Sequence, residues 1–312
     1  MRIVFMGTPE FSVPTLERLH ATPHEITEVI TRPDQPRGRG RHMEPPAVKV
    51  AAESLGHRVW QTDNLRSAST HEHIAELCPD LMVVVAFRIL PPDILDIPRL
   101  GSINLHASLL PKYRGAAPIN WALINGEKET GVSVFFLEPR VDTGRIIRQK
   151  AVSIRDDETY GELYDRLKHI GAEKVVRAVD DIAKGRTVGV PQDEDNASSA
   201  RKLTRDDARI DWSQSSERIR NLVRGTTPAP GAWTTLDGVR FGINRVDIAD
   251  ADERNAAVEP GTIVFADSKR GIAVRTGDGA VWLTIVHPPG KKPMPGDAWL
   301  RGARVEIGTR FV

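Results

Sequence analysis

The sequence predicts an α/β fold, a Rossmann-like, mostly parallel sheet with helices on both faces, followed by a small OB-like β-barrel of the oligonucleotide-binding type. Three observations lead there. Short β-rich runs alternate with helical patterns from residue 1 to about 185, a polar aperiodic stretch follows, and strands separated by tight turns fill most of the remainder.

In the first part the strand candidates are Arg2 to Met6, Glu25 to Thr31, Asp80 to Ala86, Gly101 to Leu105 and Gly131 to Leu137. The run Leu81 to Ala86 is apolar on both faces, as a central strand covered by helices on each side must be, and is expected to be fully buried. A helix closes this part. Thr159 and Glu162 have capping-box spacing, Leu163, Leu167 and Ile170 recur at helical intervals, and Lys184-Gly185 marks its end. The boundaries read from these patterns are a first domain over 1–188, a linker over 189–205 and a second domain over 206–312. In the second domain a short helix carries Ile219, Leu222 and Val223. The strand candidates after it are Ala232 to Leu236, Val239 to Ile248, Thr262 to Ala266, Ile272 to Arg275 and Val281 to Val286, with Asp237-Gly238 and Asp278-Gly279 as hairpin signals, a set that suits a small barrel with a sandwich as the alternative.

Bulk properties narrow the function classes. With 40% hydrophobic and 27% charged residues, the chain has material for real cores and is not globally disordered. Its formal net charge of +1 means that a polyanionic partner must be met by local basic patches. The single cysteine, Cys78, cannot form an internal disulfide; it falls at a helical pattern from His71 to Leu77, where a buried structural role is expected. The opening residues read as a strand entering a turn rather than a signal peptide, and no stretch approaches the roughly 20 apolar residues of a membrane span. A cytoplasmic protein is expected.

The stretch Ser102 to Gly115 carries the chemistry. Side chains alternate along a strand, so Asn104 and His106 share one face while Ile103 and Leu105 face apolar packing. The carboxyl ends of strands border the ligand crevice in open α/β sheets, and this pair sits where strand gives way to loop. A carboxamide beside an imidazole can stabilise a developing oxyanion and move a proton. The bland alternative is a strand-end histidine capping a loop carbonyl. A second stretch, Val141-Asp142-Thr143-Gly144, is on its own most simply a turn.

Taken together and in order, Asn104, His106, the loop Ser108-Leu109-Leu110-Pro111 and Asp142-Thr143-Gly144 resemble the signature of the folate-dependent formyltransferases. Gly7-Thr8-Pro9-Glu10-Phe11, the segment Arg32 to Gly40, Tyr113 to Ile119 and Ile210-Asp211-Trp212 are similar to the members of that family that act on initiator methionyl-tRNA, across nearly the full chain. The resemblance implies 10-formyltetrahydrofolate as formyl donor, held along Ser108, Leu109, Leu110 and Pro111, with Asn104, His106 and Asp142 as catalytic trio. Formyl transfer from an activated nitrogen needs no Lewis acid or metal-bound hydroxide, so no metal is expected; no membrane partner is expected, and the chain is expected to be a monomer. On the tRNA side, Arg37, Arg39 and Arg41 form a basic loop suited to phosphates, and Lys291 and Lys292 add charge on the barrel.

The chain departs from the family pattern at Phe87-Arg88, where a glycine is missing, and at Arg140 and Arg145 around Asp142. Rival readings are a formyltransferase acting on a nucleotide-sugar amine and, from a different class, a non-catalytic RNA-binding module, which would leave the trio without purpose. A dinucleotide-dependent dehydrogenase would need G-x-G-x-x-G after the first strand, and Gly7 to Phe11 lacks it.

Overall fold

The fold is described from a computed structural model covering residues 1–37, 42–250, 258–303 and 305–312. Its contacts fall into two compact units, one of Met1–Pro118, Glu129–Ser153 and Tyr164–Ala200, the other of Ile119–Lys128, Ile154–Leu163 and Arg201–Val312.

The first unit is built on a seven-stranded sheet. Along the chain its strands are β1 (Arg2–Gly7), β2 (Glu25–Thr31), β5 (Val59–Gln61), β6 (Leu81–Val85), β7 (Ser102–His106), β8 (Glu129–Phe136) and β9 (Ile146–Ser153), arranged in space as β5-β2-β1-β6-β7-β8-β9. Pairings from β5 to β7 are parallel, and β8 and β9 turn back antiparallel. A small hairpin of β3 (Gln35–Arg37) and β4 (His42–Glu44) stands apart from it.

Apolar residues on both faces of the central strands require cover on both sides. On one face Val4, Met6, Met82 and Val84 pack with Ile74 and Ile94, from helices α3 (Ala68–Glu76) and α4 (Pro92–Leu95). On the other, Gly171 of the long helix α6 (Tyr160–Ala183) lies so close to Leu105 that a Cβ there would sit 2.6 Å from its Cδ2. The capping box forms at this helix's start, with the Thr159 N–H donating to Glu162 Oε2 at 2.8 Å and the Glu162 N–H to Thr159 Oγ1 at 3.4 Å. Strand β6 is wholly buried, but it ends at Val85; Ala86 takes a positive φ of 47° and is exposed.

The sequence expectation for Cys78 fails. It lies past the end of α3 in a left-handed conformation, φ 45°, its N–H on the Ala75 carbonyl, and its side chain is exposed. Closing the helical turn there points the side chain outward, which a compositional tendency to burial does not foresee.

The segment read as linker is partly built into the first unit. Ile146 and Val190 exchange backbone hydrogen bonds at 2.8 Å, the Arg114 N–H reaches the Ser198 carbonyl at 2.8 Å, and the Ala200 N–H reaches the Arg114 carbonyl. Side-chain composition records none of these main-chain bonds.

In the second unit, helix α7 (Ser216–Thr226) begins at Ser215, whose side chain accepts from the Arg218 N–H. The sheet follows, all antiparallel, in the order β10 (Ala232–Leu236), β11 (Val239–Ile248), β14 (Ala280–His287), β13 (Gly271–Arg275), β12 (Ile263–Asp267), with β15 (Met294–Pro295) added to β14. Asp237 and Gly238, both at positive φ, supply the hairpin turn between β10 and β11. Bridges from Leu236 to Phe311 and from Thr262 to Arg310 tie both ends of this strand order to the C-terminal segment, the closure a barrel needs. Phe241, Phe311, Trp212 and Trp299 fill the interior, with Phe241 and Phe311 ring centres 5.5 Å apart. Among the described residues no helix is long and apolar enough to cross a membrane.

Candidate active site

The strand order reverses between β1 and β6, so the ligand crevice of the first unit is expected beyond their carboxyl ends and those of their neighbours. Strand β7 brings His106 to that edge. Its neighbour Asn104 lies opposite Val84 on β6 and Phe135 on β8, two residues back on the same face. Among the described residues the half-buried Asn104 carboxamide has no hydrogen-bond partner.

His106 is 6% exposed and Asp142 9%. Their nearest side-chain atoms, Nδ1 and Oδ2, are 3.6 Å apart. The other ring nitrogen, Nε2, is 2.8 Å from the Tyr113 carbonyl, and since a carbonyl only accepts, Nε2 carries a proton. The bland reading of His106 as a loop cap is therefore also true, and it has a chemical consequence. With Nε2 committed, Nδ1 alone is left to take or give a proton, and it faces the carboxylate.

Asp142 is held by its surroundings from several directions. It adopts a positive φ of 54°, a conformation in which Asp and Asn are the best tolerated residues after glycine. Its Oδ2 accepts the Gly115 N–H at 2.8 Å. Gln192, 50 residues further on, donates through Nε2 to the Asp142 carbonyl at 2.9 Å and the Gly144 carbonyl at 2.8 Å. Its Oε1 in turn accepts Arg114 Nη2 at 2.8 Å. Arg114 also reaches Glu194, at 2.7 Å to Oε1 and 3.0 Å to Oε2, and this hydrogen bonding holds the Glu194 carboxyl below its usual range. Gly144 packs so tightly on the Phe136 carbonyl that a Cβ would lie 1.7 Å from that oxygen, which fixes the residue type.

The loop Ser108-Leu109-Leu110-Pro111 is braced from within. Ser108 Oγ donates to the Lys112 carbonyl at 2.6 Å, Ser133 Oγ to the Ser108 carbonyl at 2.7 Å, and the Leu110 N–H to Ser133 Oγ at 3.0 Å. Gln149 Nε2 holds the Leu110 carbonyl at 2.8 Å. Ser108 and Leu110 are buried and these polar groups are already satisfied, so Leu109 and Pro111 are left as the loop's half-buried apolar surface.

The departures also find their places. Arg145 Nε donates to the Val188 and Gly189 carbonyls, at 3.0 and 3.1 Å. Arg88 reaches the carbonyls of Asp63 and Thr62, the latter at 2.6 Å, and its guanidinium lies 5.3 Å from the Phe87 ring centre. Of the basic loop, Arg37 ends β3, while Arg39 and Arg41 lie outside the described residues. Lys291 and Lys292 are exposed, just beyond β14 in the second unit. Among the described residues no three His, Cys, Asp or Glu side chains gather as a metal-binding group. A cavity of about 560 Å³ lined by His71, Cys78, Asp80 and Asp93 lies at the amino end of β6, the opposite edge of the sheet from His106.

Gln192, Ser133 and Gln149 were not found by sequence reasoning. They act through main-chain bonds or across long sequence separations, which leave no local pattern.

Comparison with known proteins decides the family. The pattern of the formyl transferases matches residues 1–179, and that of the formyl transferase C-terminal domain matches residues 202–304. The chain belongs to the formyl transferase family. A methionyl-tRNA formyltransferase of Geotalea daltonii is 44% identical over 312 residues, covering 100% of this chain and 98% of the relative. The fold recurs at greater distance: the N-formyltransferase of Helicobacter canadensis, solved with folinic acid and dTDP-3-aminofucose, superposes with a TM-score of 0.67 at 18% identity over 90% of this chain and 98% of that one. HypX of Aquifex aeolicus, solved with tetrahydrofolic acid, gives 0.64 at 19% identity; this formyl transferase covers half of that chain with 99% of its own.

Gln192 pins the loop that carries Asp142 at two carbonyls. Gln192→Ala is expected to lower kcat by about tenfold, in the range that misplacing a catalytic group costs, with little change in KM for either substrate. Steady-state kinetics beside a melting curve check this. A changed KM with kcat preserved would make Gln192 part of a binding surface.

Proposed function

We infer that the protein transfers the formyl group of 10-formyltetrahydrofolate to the amino group of methionyl-initiator tRNA, for initiation of translation. The observation that carries this reading is the 44% identity to a methionyl-tRNA formyltransferase across the whole chain, second unit included. The nucleotide-sugar enzyme is matched at 18%, which speaks for the common fold alone. Such an enzyme works in the cytoplasm, where translation starts.

The chemistry follows from the three side chains. The acceptor amine attacks, uncharged, the formyl carbon; a C–N bond forms and the carbonyl oxygen becomes negative. The Asn104 carboxamide, without a partner among the described residues, is the donor for that oxygen. His106, with Nε2–H fixed on Tyr113, presents Nδ1 to the same centre, and a proton there is stabilised by Asp142 at 3.6 Å. Asp142, directly or through water, accepts the proton shed by the amine. The bond from the formyl carbon to the donor nitrogen then breaks, and the proton passes to that nitrogen. Leu109 and Pro111 offer apolar surface to the donor, and Arg37, Arg39, Arg41, Lys291 and Lys292 are charges for the tRNA backbone.

One assay tests the acceptor. The donor is offered with charged initiator tRNA, charged elongator tRNA and an aminosugar nucleotide in parallel. Label is expected on the initiator tRNA; label on the sugar alone would overturn the reading.

A further inference from the structure

Residues 192–200, the end of the first unit, hold more of the site than the Asp142 loop. Gln192 pins that loop and Glu194 takes Arg114. Further along, the chain lies beside residues 111–117 in a short parallel pairing centred on Arg114 and Ser199. The Ser198 N–H donates to the Pro111 carbonyl at 3.3 Å, the Arg114 N–H to the Ser198 carbonyl at 2.8 Å, the Ala200 N–H to the Arg114 carbonyl at 2.6 Å and the Ala117 N–H to the Ala200 carbonyl at 3.1 Å. A further bond here uses a side chain: the Tyr113 N–H donates to Ser198 Oγ at 2.9 Å.

Tyr113 needs such holding. It is 8% exposed and has a φ of 61°, a left-handed conformation that a bulky L-residue keeps only where its surroundings over-determine it. In that conformation its carbonyl meets His106 Nε2 at 2.8 Å while its N–H meets Ser198. Two residues on, the Gly115 N–H donates to Asp142 Oδ2 at 2.8 Å, and Gly115 packs against the Ala200 carbonyl, where a Cβ would lie 2.7 Å from the oxygen. The tripeptide Tyr113-Arg114-Gly115 thus carries both the acceptor that fixes His106 and a donor that fixes Asp142. Ser198 to Ala200 set its path.

Which nitrogen of a neutral imidazole carries the proton is decided by the bond the other nitrogen makes. With the Tyr113 carbonyl in place the proton sits on Nε2, and Nδ1 faces Asp142 bare, able to take one. If Tyr113 relaxes to an ordinary negative φ, its carbonyl leaves Nε2. The proton is then free to settle on Nδ1, where the Asp142 carboxylate 3.6 Å away accepts it, and Nδ1 has no lone pair left for catalysis.

We propose that Ser198 is a positioning residue for proton transfer: through Tyr113 it keeps His106 in the Nε2–H form, with Nδ1 open toward Asp142 and the reacting amine. It acts on the ring and not on either substrate. The proposal rests on His106 being the group that handles the proton.

The test reads the His106 ring directly by NMR. The full chain, labelled on its histidine ring nitrogens, is compared with Ser198→Ala and Ser198→Thr at a pH where the ring is neutral; the His106 signals are assigned by their loss in His106→Gln. The parent is expected in the Nε2–H form, Ser198→Ala as a mixture with the Nδ1–H form, and Ser198→Thr, which keeps the γ oxygen, as the parent. Turnover follows the ring: kcat about tenfold lower in the alanine variant, in the range that misplacing a reacting group costs, KM for both substrates little changed, and most of kcat recovered by threonine. An alanine variant that melts lower but keeps the parental tautomer and kcat would show that Ser198 only braces the loop, overturning the proposal. An Nδ1–H ring in the parent overturns it without any variant. Because the ring is read in the absence of substrate, a parent chain that failed to formylate methionyl-tRNA would lose the acceptor reading alone, and the tautomers would still decide the role of Ser198.

Discussion

Asn104→Ala is expected to lower turnover by about 100-fold or more while leaving the melting temperature essentially where it was. Both halves come from one feature. The Asn104 carboxamide is half-buried and has no hydrogen-bond partner among the described residues, so truncating it breaks no internal bond and leaves no group stranded. A polar group kept beside His106 at a strand's carboxyl end, with nothing among the described residues to bond, is placed to meet a substrate. The size of the loss is that of removing one oxyanion donor. Single-turnover rates beside thermal melts check it; near-normal turnover would remove Asn104 from the mechanism. His106→Ala is expected to cost at least as much, but its reading is less clean, because the Tyr113 carbonyl would lose its donor. His106→Gln separates the two effects: a carboxamide can still serve that carbonyl but cannot shuttle a proton, so stability should return without turnover.

Much of this arrangement was legible in the sequence. Asn104 and His106 could be placed together because strand alternation is local, and β7 needed only its buried neighbours Ile103 and Leu105 to fix the faces. Strands β10 and β11 have the predicted limits because Asp237-Gly238 dictates both turn and register. By contrast β9, an edge strand with Arg148, Gln149 and Lys150 in it and no residue buried, has no apolar alternation to read. Helix α8 (Gly296–Gly302) is seven residues long with glycine at both ends, so neither propensity nor periodicity announces it. Gln192 was hidden more deeply. It sits in a polar stretch with the composition of a linker, and its two bonds to the Asp142 loop exist only once β9 and residue 190 are side by side.

The Asp142 position permits an unusually specific test of charge. Because its φ is 54°, alanine there would add backbone strain to the loss of the carboxylate, and the two could not be told apart. Asparagine tolerates that conformation and its carbonyl oxygen can still accept the Gly115 N–H, so Asp142→Asn keeps the loop and removes only the charge. The expected result is a fall in kcat of about 100-fold or more, within the range general acid–base groups contribute, with KM for donor and acceptor little changed. The reason is that Nδ1 of His106, the ring atom not spent on Tyr113, has this carboxylate 3.6 Å away to stabilise a proton on it. Without the negative charge, the amine's proton has no acceptor. If instead KM rises and kcat holds, Asp142 is a binding residue, and His106 must do its work without it.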